Sequence, residues 1–397
     1  MGVIPHVDRA MQNLMIEAET KPTARPEPDG RNKPIQGLRG LAAILVVIAH
    51  VYGMAHIGGL CHPFANPILD VAVSMLGRFA VVTFFFISGY LIVQSLVKHA
   101  DVRVFIRNRA ARIYPVFLVL HVIIFALGPV LGYHWMVTLQ HSTTAYLTAF
   151  VTNLFFLPGI FDLPLAQKNA WSLSFEWLFY LTACGCFLSM TLMRTRKVLG
   201  WLALAGTLTV IVAALWERPE MGYFLVGVLV WYLIDCRKVR FQETRFTSVL
   251  STGSFLLAYC SYISGHPAFC YLFGAVFFVT LVCGIGWLAR VLSTRAFQFL
   301  GMISYSLYLV HPFVLDGLRV VVQHKIQGHV SSFVAVSLFA VVGSVLSILI
   351  STASYRLIEV KLTNRIFRKP KAHSAASSGS KCSTRTAETA SASNPVK

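Results

Sequence analysis

Two ionisable side chains, Arg39 and His50, interrupt an otherwise apolar segment, RGLAAILVVIAH. In a helix, eleven residues climb about 16 Å and return to within about 20° of the starting direction. The sequence therefore predicts that both side chains share one helix face, with Arg39 near one membrane surface and His50 near mid-bilayer. An ionisable group at that depth is a functional-site hypothesis, and the alternative is a histidine that is only hydrogen-bonded inside a helix bundle.

A short polar step, formed by Ser88, Gly89 and Tyr90, lies in the aromatic stretch FFFISGYLI (84–92). Small residues allow membrane helices to approach closely, and a serine hydroxyl among aromatic rings also offers a polar contact. The two interpretations, helix packing and substrate contact, both stay open at this point.

Two arginines, Arg109 and Arg112, stand one helical turn apart in RNRAARIYP (107–115). Guanidinium groups at this spacing form a fork that suits phosphate oxygens. The alternative is that they only mark a cytoplasmic helix end, where Lys and Arg are common.

The stretch NAWSLSFEWLFYL (169–181) carries Glu176 about six residues inside a predicted helix. Its depth is close to that of His50 counted from the opposite surface, so the two could meet as an acid–base pair. The alternative is a structural pairing of Glu176 with an arginine such as Arg78.

The stretch GMISYSLYLVHP (301–312) places Ser304, Tyr308 and His311 on one face of a predicted helix. Tyr305 points about 100° away from that face. Because His311 precedes a proline, the alternative is that it belongs to a helix kink without a chemical role.

The elements that must position these residues are membrane-spanning helices. The chain of 397 residues is 56% hydrophobic and 13% charged, and several apolar runs of about twenty residues are each long enough to cross about 30 Å of hydrocarbon. The net charge of +18 first reflects Lys and Arg in cytoplasmic loops, so we expect no nucleic-acid partner. The His, Cys and acidic residues lack metal-ligand spacing, so we expect no metal site.

Hydropathy predicts an all-α, polytopic transmembrane helix bundle of about ten spans. The predicted spans are 38–56, 69–97, 113–132, 170–192, 198–216, 221–235, 246–263, 267–289, 298–317 and 332–354.

Basic residues are distributed unevenly around these spans. With the N-terminus in the cytoplasm, twenty Lys and Arg fall in the cytoplasmic connecting loops and the segment directly after the last span, and only Lys168, Arg218, Arg319 and Lys325 fall in the connections on the other side. The positive-inside rule therefore predicts that both termini are cytoplasmic. A further span at 145–159 would move every later basic loop outside, so we predict a re-entrant or interfacial helix there.

The chain divides into three predicted parts. Residues 1–37 are polar and form a cytoplasmic N-terminal tail, and residues 38–360 form the membrane-embedded domain. Residues 361–397 end in a Ser/Ala/Thr-rich stretch, which predicts a disordered cytoplasmic C-terminal tail.

The five stretches, taken in order along the chain, resemble the acyltransferase 3 family of integral-membrane acyltransferases. The resemblance covers about residues 33–360. Members of this family O-acetylate bacterial surface polysaccharides, lipopolysaccharide, Nod factors and some macrolides. The chain departs from the family pattern in AVVTFFF, where Val82 stands at a position that is often acidic.

The resemblance implies a membrane O-acyltransferase that moves an acyl group, most commonly acetyl, from cytoplasmic acyl-CoA to a hydroxyl of a sugar, exopolysaccharide or lipid-linked glycan. It implies His50 as general base or transient nucleophile, Glu176 and Arg39 as further catalytic residues, and Arg109 and Arg112 as donor-binding residues. Acceptor-binding or supporting roles are expected for Ser88, Gly89, Tyr90, Trp171, Ser172, Tyr305, Tyr308 and His311. Acetyl-CoA would be a co-substrate, and no cofactor is expected to stay bound.

The implied location is the bacterial cytoplasmic (inner) membrane. The expected partners are the lipid bilayer, acyl-CoA and a glycan acceptor, with polysaccharide-assembly proteins as further candidates. The competing hypothesis is a proton-coupled secondary transporter in which His50 and Glu176 form a proton relay. Transporters usually contain repeated halves, and no internal repeat is evident in this sequence.

Overall fold

The computed structural model describes residues 32–130 and 142–367, and within these ranges the chain is all-α, without a strand, as predicted. The helices are α1 (Lys33–Ile57), α2 (Pro67–His99), α3 (Val102–Leu127), α4 (Thr143–Leu154), α5 (Ala170–Thr195), α6 (Lys197–Glu217), α7 (Tyr223–Trp231), α8 (Arg245–Ile263), α9 (Pro267–Val282), α10 (Gly286–Leu292), α11 (Arg295–Lys325), α12 (Ser332–Ser354) and α13 (Thr363–Phe367). A 3-10 turn precedes α7 (Pro219–Gly222), and π-helical segments follow α7 (Tyr232–Cys236) and α12 (Tyr355–Leu362).

The number of membrane spans agrees with the sequence. Nine helical segments in the described ranges are long and apolar enough to cross a membrane, and one bent pair brings the number to ten. That pair, α9 and α10, is the predicted eighth span, and its two parts meet at 61°. Gly284 and Gly286 have φ angles of 75° and 94°, a left-handed backbone that favours glycine, so they provide the break.

The segment predicted not to cross the membrane is a short helix. α4 has 12 residues and is therefore about 18 Å long, too short for about 30 Å of hydrocarbon. It begins at Ser142, whose side chain accepts from the Ala145 amide. This length fits the prediction that 145–159 does not cross the membrane, and the stretch is not among the helices that are long and apolar enough to do so.

Parts of the predicted organisation lie outside the described residues. These parts are most of the tails 1–37 and 361–397, and the last two residues of the predicted span 113–132. The boundaries of the membrane domain and the orientation of the termini stay predictions.

Glycines let α1 and α11 cross at close range. A Cβ atom at Gly40 would lie 2.7 Å from the Gly301 backbone nitrogen, and a Cβ at Gly301 would collide with the Gln36 carbonyl oxygen. His50 and His311 each lie ten residues beyond their glycine, and their rings are in contact. The two helices therefore run in the same direction, and equal steps of about 15 Å carry both histidines to the same level.

A second close crossing joins α2 to α7. A Cβ atom at Gly89 would lie 3.1 Å from the Gly227 Cα and would overlap the Phe224 carbonyl oxygen. Gly89 is therefore a packing residue, as one of the two sequence interpretations held, and the contact fixes the neighbouring Ser88 against the bundle interior.

Candidate functional site

The first of two cavities in the bundle is called here the arginine cavity, because Arg39, Arg109 and Arg112 line it. Together with the open solvent at its mouth, its empty volume is about 660 Å³. α1 supplies Arg39, and α3 supplies the other two, which face the same space because they lie one helical turn apart. The predicted two-arginine fork is thus joined by a third guanidinium group.

Arg109 is held in place but keeps one unused hydrogen-bond donor. Its Nη2 donates to Ser95 Oγ at 3.1 Å, and its guanidinium carbon lies 5.4 Å from the centre of the Phe105 ring. Its Nε is buried and has no hydrogen-bond partner among the described residues. A buried N–H without an acceptor is unfavourable, so the position favours a ligand that brings acceptor oxygens.

Glu176 projects from α5 into the arginine cavity. Its Oε1 accepts from Ser88 Oγ at 3.2 Å and from the Tyr180 hydroxyl at 2.5 Å. It also interacts electrostatically with Arg39 and Arg109. Glu176 is therefore a carboxylate held in place among arginines. The sequence alternative was a pairing with an arginine such as Arg78, and the arginines near Glu176 are instead Arg39 and Arg109.

Glu359, which the sequence analysis missed, is a second carboxylate near these arginines. It lies in the π-helical segment after α12, and its Oε2 accepts from Ser306 Oγ at 2.9 Å. It interacts electrostatically with Arg39 and Arg112. The signal in the sequence was the position of Glu359, an acidic residue directly after a long apolar helix. The same position is equally typical of a helix end at the membrane surface.

The charges around the arginine cavity do not balance. Three guanidinium groups face the two carboxylates of Glu176 and Glu359. Among the described residues, the ion pairs closer than 4.0 Å all involve other side chains. Positive charge inside a bundle is costly without a counter-charge, so the cavity suits an anionic ligand.

The second cavity, called here the histidine cavity, is lined by His50, and its empty volume together with the open solvent at its mouth is about 1420 Å³. It reaches the connecting segments that are predicted to lie outside the cell, and its lining includes the ion pair of Arg218 with Asp162 at 2.6 Å. Aromatic rings and further charged or polar groups also line it, among them Trp171, Phe175, Tyr262, Arg78, Lys168, Asn169 and Glu220. Such a mixture suits a polar ligand with some apolar faces.

His50 is paired with His311. The His50 Nδ1 and the His311 Nε2 are 3.3 Å apart, and the ring centroids are 4.9 Å apart at an interplanar angle of 66°. Each Nδ1 also lies near a carbonyl oxygen one turn earlier, at 2.9 Å from Val46 for His50 and at 2.7 Å from Leu307 for His311. The close crossing of α1 and α11 is what brings the two imidazoles together.

These contacts determine the tautomers of the neutral rings. A carbonyl oxygen only accepts, so the Nδ1 of His311 carries the proton and its Nε2 is an acceptor. The Nδ1 of His50 faces two acceptors, Val46 O and His311 Nε2, and therefore also carries a proton. The Nε2 of His50 is then unprotonated, and it has no hydrogen-bond partner among the described residues, as a base or nucleophile requires.

The predicted pair of His50 with Glu176 is not formed. Their hydrogen-bond partners differ, and they line different cavities. The group that contacts the His50 ring is His311, and Arg39 lines the arginine cavity rather than the space around His50. A similar depth in the bilayer does not specify which helix faces which, so depth alone could not identify the partner.

The remaining predicted residues divide between the cavities and the packing. Ser88, Ser172, Ser304 and Tyr305 line the arginine cavity, Trp171 lines the histidine cavity, and Tyr308 lines both. Tyr305 joins the site although it points away from the predicted face, because its hydroxyl donates to the Ile113 carbonyl at 2.6 Å across the bundle. Tyr90 lines neither cavity and packs edge-on against Phe278. Val82, the departure from the family pattern, lines the histidine cavity.

Comparison with known proteins gives one match. A family model described as an acyltransferase domain, acyltransferase 3, matches residues 32–356. No curated protein and no solved structure matches the chain. The matched range contains the three arginines and both histidines described above, whereas Glu359 lies just beyond it.

Proposed function

Since the chain belongs to the acyltransferase 3 family, it is a membrane acyltransferase, and we propose that it moves an acyl group from acyl-CoA in the arginine cavity to a hydroxyl group in the histidine cavity. One observation carries this proposal: a cavity with excess arginine and a cavity with an open histidine nitrogen lie next to each other within one helix bundle. His50 lines only the histidine cavity, and two cations of that cavity are paired, Arg218 with Asp162 and Lys168 with Asp316. The arginines of the arginine cavity outnumber the carboxylates around them, so each cavity suits one of the two substrates.

The donor side of the proposal rests on charge. Acyl-CoA carries several phosphates, and charged hydrogen bonds from guanidinium groups to phosphate oxygens are among the strong ones. The unused Nε of Arg109 and the positive excess around Arg39 and Arg112 support an anionic donor. The positive-inside pattern would put this cavity on the cytoplasmic side, where acyl-CoA is made, and acetyl-CoA is the donor we favour.

The acceptor side rests on the open nitrogen of His50. As the acceptor oxygen attacks the thioester carbonyl, His50 Nε2 takes the hydroxyl proton, the C–S bond breaks, and the CoA thiolate receives a proton in return. The His50 Nδ1–H stays bonded to Val46 O and His311 Nε2, which orients the ring and stabilises its protonated form. The same nitrogen could instead carry the acyl group transiently, and this second route uses the same contacts.

The acceptor class follows from the lining of the histidine cavity. Aromatic rings such as Trp171, Phe175 and Tyr262 offer faces for sugar rings, and the charged groups around them suit hydroxyls. We therefore propose a sugar, an exopolysaccharide unit or a lipid-linked glycan as acceptor, modified at the outer face of the cytoplasmic membrane. Polysaccharide-assembly proteins would be the partners that deliver or remove it.

The test is acyl-CoA consumption by the full chain in membranes of its source organism, where the natural acceptor is present. We expect release of CoA thiol from acetyl-CoA, and we expect His50→Ala to reduce it by at least about a hundredfold, since a proton acceptor alone contributes about 10² to 10⁴ in rate.

The matched control is His324→Ala, an exposed histidine on α11 whose Nδ1 is also near a carbonyl one turn earlier. It should retain the rate of the unchanged chain. Equal rates for His50→Ala and the unchanged chain, at equal amounts in the membrane, would reject the proposed function.

A further inference from the structure

The arginine cavity and the histidine cavity share one wall. Three side chains line both cavities, Val81 and Phe85 of α2 and Tyr308 of α11. They are 4%, 3% and 7% exposed, so little of each is open to either space. The wall is therefore thin, about one side chain deep, and closed in this structure.

Phe85 is fixed by neighbouring rings. It stacks on Phe224 with centroids 4.4 Å apart and also contacts Trp171 and Phe175, at 6.4 Å and 6.2 Å between centroids. A ring held on several sides leaves its place only when its neighbours move as well. The aromatic part of the wall therefore limits the size of a group that can pass between the cavities.

Tyr308 is fixed by hydrogen bonds to the start of α5. Its hydroxyl lies 2.7 Å from Ser172 Oγ and 3.1 Å from the Asn169 carbonyl oxygen, and its own carbonyl accepts from Asn169 Nδ2 at 2.8 Å. Its ring meets Phe84 with centroids 5.9 Å apart. These contacts join α11 and α5 at the wall and hold the tyrosine beside Phe85.

The proposed reaction makes this wall the point through which the acyl group must pass. The thioester is bound with its phosphates among the arginines, whereas the attacking oxygen lies beside His50 in the other cavity. The acyl end of the donor therefore meets the wall first. The carbon chain of the acyl group must fit between Val81, Phe85 and Tyr308 before the thioester carbonyl reaches the acceptor.

We propose that Val81, Phe85 and Tyr308 determine the length of the acyl group that is transferred, favouring acetyl over butanoyl and excluding hexanoyl. The inference rests on the proposed function, because it takes the donor from one cavity and the acceptor from the other. An apolar pocket distinguishes ligands that differ by one methylene by roughly ten- to two-hundredfold, so a wall of three side chains is sufficient for strong selection.

The experiment compares acetyl-, butanoyl- and hexanoyl-CoA as donors in membranes of the source organism, with His50→Ala membranes as background. The unchanged chain should use acetyl-CoA, and hexanoyl-CoA should inhibit that reaction without being consumed, since it binds among the arginines but cannot cross the wall. Phe85→Ala should raise the rate with hexanoyl-CoA relative to acetyl-CoA by at least about tenfold.

Two further variants keep the result interpretable. Phe86→Ala removes the neighbouring ring, which is 1% exposed and lines neither cavity, so it matches the packing loss and should leave the donor preference unchanged. Val81→Leu adds volume to the wall and should lower the use of butanoyl-CoA relative to acetyl-CoA, which tests the wall even if Phe85→Ala fails to fold.

The inference is overturned if the unchanged chain consumes hexanoyl-CoA as fast as acetyl-CoA, or if the donor preference is the same in the unchanged chain, Phe85→Ala and Val81→Leu. A failure of the proposed function gives a different result, namely no consumption of acetyl-CoA above the His50→Ala background.

Discussion

The imidazole of His50 is bonded at one nitrogen and open at the other. The Nδ1–H of His50 donates a hydrogen bond to the Nε2 of His311 at 3.3 Å. In many acid–base sites a carboxylate is the acceptor at this position. A neutral imidazole partner adds no negative charge inside the membrane, where an unpaired carboxylate is costly. His50, the proposed base, is therefore oriented without an anion buried beside it, while Glu176 remains with the arginines.

Arg109 offers a test of donor binding at the level of one side chain. Arg109→Ala removes the unused Nε donor and one of three guanidinium groups in the arginine cavity. A charged hydrogen bond contributes about 1.5–3 kcal/mol, so the KM for acetyl-CoA should rise roughly ten- to a hundredfold. Initial rates at varied acetyl-CoA concentration measure this.

Arg107→Ala is the control for that variant. Arg107 lies on the same helix and the same predicted side of the membrane but is exposed and does not line the cavity. It should leave the KM unchanged. A similar rise in KM for both variants would assign these arginines to membrane topology rather than to donor binding.

Single residues were predicted unevenly from the sequence. The spacing of Arg39 and His50 and the Arg109–Arg112 fork could be predicted, because each depends only on the geometry of one helix. The partner of His50 could not, because it depends on which helices touch and in which direction each face points. Glu359 was missed for the same reason, since its neighbours lie on other helices.

At the level of helices, the crossing of α1 with α11 determines the histidine pair. Ten residues separate Gly40 from His50 and Gly301 from His311, so the glycine contact sets the register of the two imidazoles. Hydropathy predicted both spans, but it contains no information on register. The equal glycine-to-histidine spacing of the two helices is visible in the sequence. It predicts the histidine pair only once the two helices are known to be parallel neighbours.

Gly301→Ala should separate the two helices. Its Cβ would collide with the Gln36 carbonyl oxygen, so we expect a lower melting temperature in detergent and at least about a tenfold loss of acyl transfer, as small displacements of catalytic groups have large effects.

Gly317→Ala on the same helix is the control for the crossing, because its Cβ would have no atom within 4 Å. Alanine favours a helix over glycine by about 0.5–1 kcal/mol, so this variant should be as stable as the unchanged chain or slightly more stable. If both variants behave alike, the close crossing is not what holds the site together.

The bent and irregular segments show a second limit of prediction at this scale. The eighth span was predicted as one helix because its composition is continuously apolar, yet α9 and α10 meet at 61°. Gly284 and Gly286 marked the position, but glycine is also common in straight membrane helices. The π-helical segment that carries Glu359 has no comparable sequence signature.

For the whole molecule, the distribution of basic residues predicts which side each cavity faces. Thr144→Cys, on α4, should react with a membrane-impermeant maleimide in intact cells, measured as labelling above that of the unchanged chain. Gln242→Cys, in the segment before α8, should react only after the membrane is made permeable. Both positions are exposed, so access to the side chain is not limiting.

The opposite pattern of labelling would show that the chain has the inverted orientation in the membrane, with the arginine cavity on the side that lacks acyl-CoA. Labelling of both positions in intact cells would show that one of the intervening spans does not cross the membrane. Either result contradicts the topology that the basic residues predict.

The thin wall between the cavities also bears on the electrical balance of the reaction. If solvent enters the two cavities from opposite sides of the membrane, as the basic residues predict, the transmembrane voltage would drop mainly across the wall of Val81, Phe85 and Tyr308. If the proton taken by His50 returns through this barrier to the departing thiolate, each turnover is electroneutral. If the proton leaves on the histidine side and the thiolate is protonated from the other, one charge is separated per turnover, and the membrane voltage then changes the free energy of the reaction by about 2.3 kcal/mol per 100 mV.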